Sequence, residues 1–160
     1  MTLTPQQQHA LAIPIHIGPL VLILSDRTSR TSPLSAVYHP GQNKILGVLK
    51  PGQRVVSHAE AVRQMEAALV TCGVTPEVSD FHLLKSESLL YVHYRLAIEL
   101  DIGLDEPDLV IPEVILRNGY DGQIFCGLEY AVTQGPLSYR ILIKGEPDSG
   151  DLQTLLTTSL

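Results

Sequence analysis

Tryptophan is missing from this chain and phenylalanine occurs only twice, so aliphatic side chains have to fill the core. Cysteine is almost as scarce. Cys72 and Cys126 form no CxxC pair and have no histidine at ligand spacing, which argues against a disulfide framework and against a zinc site. Both fall on apolar faces and read as small core residues, a usage that suits a reducing, cytoplasmic setting. Long apolar runs are lacking too. The stretch Ala10 to Leu24 is broken by Pro14, His16 and Gly18-Pro19 and has no basic leading region, so it reads as neither a signal peptide nor a membrane span. Two short strands across the Gly-Pro pair are the expectation there, and no membrane partner is expected.

The signatures of common catalytic sites are absent as well. There is no Gly-x-Ser-x-Gly elbow, no Walker loop and no GxGxxG after a strand. The six histidines make no HxH, HxxxH or HExxH pattern. Asp101-x-Gly-x-Asp105, within the acidic group Glu99, Asp101, Asp105, Glu106 and Asp108, resembles the start of a calcium loop. Pro112 stands where a bidentate acid would be needed, so a solvated hairpin end is the better reading. His93, with Tyr91, Arg95 and Glu99 along one strand face, is the nearest approach to a polar row that binds something. No catalytic residue, metal or cofactor is assigned, and a small hydrolase or metal-dependent enzyme is the least favoured class.

What is present is a pattern of alternation. Leu90, Val92, Tyr94, Leu96, Ile98 and Leu100 share one face of a strand, and Tyr91, His93, Arg95, Ala97, Glu99 and Asp101 share the other. Similar alternation marks Gln123 to Val132 and Leu137 to Ile143, and shorter strands are expected at Ile45 to Leu49, Val78 to Leu84 and Val110 to Arg117. Gly47 suggests a bulge, and Pro112 suggests an edge strand or a bulge. One helix is expected from Ser57, where Ser-x-x-Glu60 forms a capping box and Val62, Met65, Leu69 and Cys72 make an apolar stripe. Gly73 and Pro76 end it. The segment 25–43, rich in Ser, Thr, Arg, Pro and Gly, reads as a long exposed loop. The fold class is therefore α+β, a curved antiparallel sheet with one main amphipathic helix packed on one face. With 160 residues, 44% hydrophobic and 18% charged, it fits a single domain over 1–160, with a polar, frayed N-terminal end at 1–9 and an acidic tail at 145–160. Leu152, Leu155 and Leu156 could form a short docking helix in that tail.

Charge is unevenly distributed along the chain. Residues 1–95 hold eight Lys/Arg against six Asp/Glu, whereas residues 96–160 hold three against eleven. The overall net of −6 argues against an indiscriminate nucleic-acid or anionic-membrane binder. The basic part is 27–63, and Arg27, Arg30, Lys44, Lys50 and Arg54, with Tyr38 among them, form the most usable binding set. Cations neutralise phosphates, and a tyrosine stacks on an unpaired base. Single-stranded nucleic acid or a protein is the expected partner, and opposite charge on the two halves favours a homo-oligomer.

The succession from the capped helix after Val55-Val56-Ser57-His58, through Gly73 and a long strand, to Arg117-Asn118-Gly119-Tyr120-Asp121-Gly122 resembles a phage/plasmid-like family of unknown function. Gln123 departs from it, since the family has Ser there. The resemblance implies a phage, plasmid or prophage origin, with a virion in an infected cell as an alternative location, and a likeness to single-strand annealing proteins. It also implies a turn in which Asn118 and Asp121 support the backbone while Gly119 and Gly122 adopt positive φ. The leading expectation is a non-enzymatic protein that assists nucleic-acid transactions by binding single strands. The alternative is a protein-interaction module, a virion component or an inhibitor of a host factor, acting through an acidic sheet face.

Overall fold

The computed structural model describes residues 3–96, 111–120, 127–134 and 137–143, with Ile111, Pro112 and the last two ranges described by backbone alone. The acidic group Glu99 to Asp108, the turn residues Asp121 and Gly122, Cys126 and the tail from 145 lie outside the described residues. The elements are α1 (Pro5–Leu11), β1 (His16–Ile23), β2 (Ser29–His39), β3 (Lys44–Leu49), α2 (His58–Thr71), β4 (Glu77–Leu84), β5 (Leu89–Arg95), β6 (Ile111–Gly119), β7 (Gly127–Gln134) and β8 (Leu137–Ile143).

The class is α+β, and the strands divide into two antiparallel sheets rather than one. Strands β1-β2-β3 form a small sheet, and β4-β5-β6-β7-β8 form a larger one, each in chain order. The expected alternation is seen in β5 and just beyond it. Leu90, Val92, Tyr94 and Leu96 are buried, whereas Tyr91 and His93 are half-buried and Arg95 is exposed. An extra residue, Ser79, shifts the β4–β5 register and bends that strand.

The helix α2 lies where its apolar stripe requires. Ala61, Val62, Met65, Ala68 and Leu69 are buried against Leu90, Val92, Tyr94, Val114 and Leu116 of the larger sheet. Each fully buried Val, Leu or Met contributes about 1.5–3 kcal/mol relative to exposure. Ser57 Oγ accepts from Glu60 N, but the Glu60 carboxylate turns to Arg63 and Gln64 instead of closing the box. At the other end Gly73 adopts φ +78°, its amide donates to Val70 O, and the Val74 amide donates to Leu69 O. That left-handed closure is the stop the glycine was expected to provide.

Four local expectations are corrected. Over its described residues the polar N-terminal end is helical rather than frayed: Thr4 and Gln7 form a full capping box, Pro5 stands in the first turn, and Leu11 buries itself in the main core. The segment 25–43 is mostly strand, not loop. Its β2 was hidden because Ser29 to Pro33 is polar or proline on both faces, as suits an exposed hairpin end. Pro33 lies where three residues of β2 oppose Leu20 alone, a bulge that tolerates a missing amide. The two short strands around Gly18-Pro19 are one continuous strand, β1, and its irregularity follows Pro19. Finally, Pro112 lies in a central strand. β6 pairs with both β5 and β7, but the β5 ladder stops at Glu113, one residue before the proline would have to donate. The bulge expected at Gly47 is present, where the β2–β3 register shifts between Val37 and Tyr38.

Tyr94 is an exception to the rule that buried polar groups are paired. Its ring fills the core at 0% exposure, and its hydroxyl has no hydrogen-bond partner among the described residues. Burial, and secondarily the charge of Glu66, push the phenol well above its ordinary range. Tyr94→Phe is therefore expected to be neutral or to stabilise by about 1 kcal/mol, since it removes a desolvated hydroxyl and no bond. A urea titration checks this, and a loss above about 1 kcal/mol would contradict it.

Candidate functional site

The small sheet carries the basic residues singled out from the sequence. Residues 3–57 contain Arg27, Arg30, Lys44, Lys50 and Arg54 against the lone acid Asp26. Arg27 sits in the β1–β2 turn at φ +64°. That turn is built by Asp26, whose Oδ1 accepts from both the amide (2.9 Å) and the hydroxyl (2.6 Å) of Thr28. These bonds hold the Asp26 carboxyl below the usual range. An Asx-type turn of this kind is a readable signal, Ser25-Asp26-Arg27-Thr28, that the loop reading passed over.

Arg30 pairs with Leu22, and Tyr38 pairs with His16 and Ile45. Both share one face of β2, and their β1 partners His16 and Leu22 are six residues apart, which spaces them roughly 20 Å along the sheet. The Tyr38 ring leans against His16, with centroids 5.9 Å apart, and lies across Gly18. A Cβ on Gly18 would meet that ring at 3.2 Å, so the close approach explains the glycine. Lys44 is on the opposite face, opposite His39, and its Nζ is 2.7 Å from the Glu87 carboxylate. Lys50 and Arg54 are exposed on the connection between β3 and α2. The structure thus brings Arg30 and Tyr38 onto one face, sets Arg27 at the hairpin tip, and turns Lys44 away into an ion pair.

The deepest polar cluster was not legible in the sequence. His58, the first residue of α2, is 4% exposed and stacks on Tyr120 with centroids 4.1 Å apart. Its Nε2 lies 3.1 Å from the Glu87 carbonyl, and its Nδ1 lies 2.9 Å from Asn118 Nδ2. A carbonyl can only accept, so Nε2 carries the proton and Nδ1 accepts from the Asn118 amide. The second Asn118 amide hydrogen goes to Val56 O at 3.0 Å. The His58 amide, one of the free donors of the helix start, donates to the Tyr120 hydroxyl at 2.7 Å. Burial lowers His58 to about 4, with the Glu87 bond opposing, and pushes Tyr120 up to about 12. Asn118 and Gly119 are thus strand residues of β6, and Asn118 ties the helix to the sheet instead of supporting a turn. Tyr120 also packs with Val37, Leu46 and Leu49, which joins the small sheet to this cluster.

The β4–β5 turn beside it is strained. Lys85, Ser86 and Glu87 all have positive φ, of 48°, 55° and 75°, although none is glycine. Glu87 holds both His58 through its carbonyl and Lys44 through its carboxylate, so the turn is clamped from two sides.

The His93 row forms different contacts from those expected. His93 Nδ1 is 3.4 Å from Glu113, and Ser79 Oγ donates to the same carboxylate at 3.0 Å. His82 pairs with Asp80 at 2.7 Å. Ser79 meets the acid and not the imidazole, so no serine–histidine relay is assembled. Among the described residues, no group of three or more His, Cys, Asp or Glu is placed to hold a metal ion, and no helix is long and apolar enough to cross a membrane. Compared with family models, with curated proteins and with solved structures, the chain matches none.

Proposed function

We propose that this chain is a non-enzymatic binding protein that contacts single-stranded nucleic acid through its small sheet, in the phage- or plasmid-type role that the turn resemblance implies. One observation carries this reading. The small sheet and its flanking loops hold five cations against one acid, and Arg27, Arg30, Lys50 and Arg54 are exposed with no ion-pair partner among the described residues. Phosphates released from their counterions would supply the affinity. Tyr38, half-buried beside His16, offers the remaining aromatic surface for a base.

Four phosphate contacts on a single strand give a log–log salt slope near −3, so affinity should fall about 50-fold between 50 and 200 mM salt. Fluorescence anisotropy of a labelled single-stranded oligonucleotide reads this directly. Replacing Arg27, Arg30 and Arg54 together with Ala should flatten the slope by about 2. Absence of binding at low salt, or a slope indifferent to the three substitutions, would overturn the proposal and turn attention to a protein partner.

A further inference from the structure

The end of the β1–β2 hairpin is apolar and open on both faces. Val21, Leu22, Ile23 and Leu24 are consecutive, and they are 52%, 49%, 80% and 39% exposed. Neighbouring strand residues point to opposite faces, so four open apolar residues in a row mean that neither face is covered. Every residue from Val21 to Thr31 is exposed, and the hairpin end stands clear of both cores. Such a run is unfavourable in water unless a partner covers it. β1 is also an outer strand, hydrogen-bonded among the described strands to β2 alone. Its second edge is a template for one more strand.

Charge selects the occupant. From Ala10 to Ser25 the chain has no Lys, Arg, Asp or Glu. A phosphate backbone finds nothing to neutralise on this strand, and a charged peptide finds nothing to pair with. A second copy of the same strand meets it without like-charge opposition. We infer that two copies of this chain form a two-fold dimer in which their Val21–Leu24 segments pair antiparallel and join the two small sheets edge to edge.

Pro19 lacks an amide hydrogen and closes the seam on that side. Leu24 N donates to Thr28 O on β2, so by alternation the backbone groups of Val21 and Ile23 face the free edge. With the axis at Leu22, Leu22 of one copy faces Leu22 of the other, and Val21 faces Ile23. Arg27 then falls opposite Ile17, which keeps the two Arg27 side chains about 33 Å apart along the strands. The basic ends point away from each other, so the uncharged seam is not opposed by the charges that flank it. The exposed surface of the four residues is on the order of 400 Å² per copy, half of the roughly 800 Å² per partner of a stable interface. A seam of that size belongs with weak, transient contacts.

Sedimentation velocity across concentrations from about 1 to 300 µM reads the monomer–dimer balance. The expected result is a shift toward dimer that added salt leaves unchanged, because the seam holds no charge. Ile23→Lys and Ile23→Glu should each weaken association by about tenfold or more, with the far-UV circular dichroism unaltered, since burying either charge costs similarly whatever its sign. Hydrogen exchange on the unsubstituted chain gives a reading that needs no variant. The amides of Val21 and Ile23, which face the free edge, should gain protection with concentration, and those of β3 should not. A monomer at every concentration, a dimer indifferent to both substitutions, or no gain in protection would each overturn the inference. None of these results bears on strand binding, which is read from its salt dependence.

Discussion

Asn118→Leu should destabilise the protein by about 3 kcal/mol, because one side-chain amide satisfies two buried acceptors at once. Leucine nearly conserves the volume, so the loss is not a cavity effect. What disappears is the pair of bonds to Val56 O, at 3.0 Å, and to His58 Nδ1, at 2.9 Å. Neither acceptor can turn elsewhere. Val56 O belongs to the chain entering α2, and the His58 ring is held by its stack on Tyr120 and by the Glu87 carbonyl. The urea midpoint should fall with little change in m-value. A loss below about 1 kcal/mol would show that the cluster does not join α2 to β6 as the geometry indicates.

The second large effect is a loss of stability in acid. His58 is neutral in the folded protein, lowered to about 4 from its ordinary 6.5 mainly by burial. In the unfolded chain it takes up a proton as pH falls through about 6.5, whereas the folded protein resists until about 4. The stability this residue contributes is therefore complete above the unfolded value and is lost progressively down to the folded one. The shift corresponds to about 3 kcal/mol. Protonation would also place a hydrogen on Nδ1 facing the Asn118 amide, donor against donor. His58→Phe keeps the stack on Tyr120 and removes the titration. Its deficit relative to the original chain at pH 7.5 should shrink by about 3 kcal/mol at pH 4. The carboxylates Asp26, Glu60 and Asp80, lowered by hydrogen bonds, titrate in both proteins and cancel in the difference, as does Glu66, which burial raises. Parallel pH profiles for the two proteins would refute the assignment.

The sequence made some features legible because they depend on local periodicity. Leu90, Val92, Tyr94 and Leu96 alternate because a strand has period two, and their burial follows from that alone. The stripe Val62, Met65, Leu69 with Gly73 as its stop is equally local, since 3.6 residues per turn and a left-handed closure need no distant partner. The hairpin end Ser29 to Pro33 was illegible for the converse reason: a strand exposed on both faces has no apolar alternation to read. Pro112 misled because a proline excludes only the hydrogen bond it would donate, and where that ladder ends depends on the partner strand.

By itself, then, the sequence determined the class, the main helix and its buried face, the alternation of β5, and the division of charge into a basic first part and an acidic second part. Tertiary structure alone decided that the strands form two sheets, that Arg30 and Tyr38 share a face while Lys44 turns to Glu87, and that His58 becomes a buried neutral base. Asn118 and His58 are 60 residues apart and meet only when α2 settles on β6. No local pattern encodes such a meeting, because it depends on which of several polar side chains the packing leaves without water.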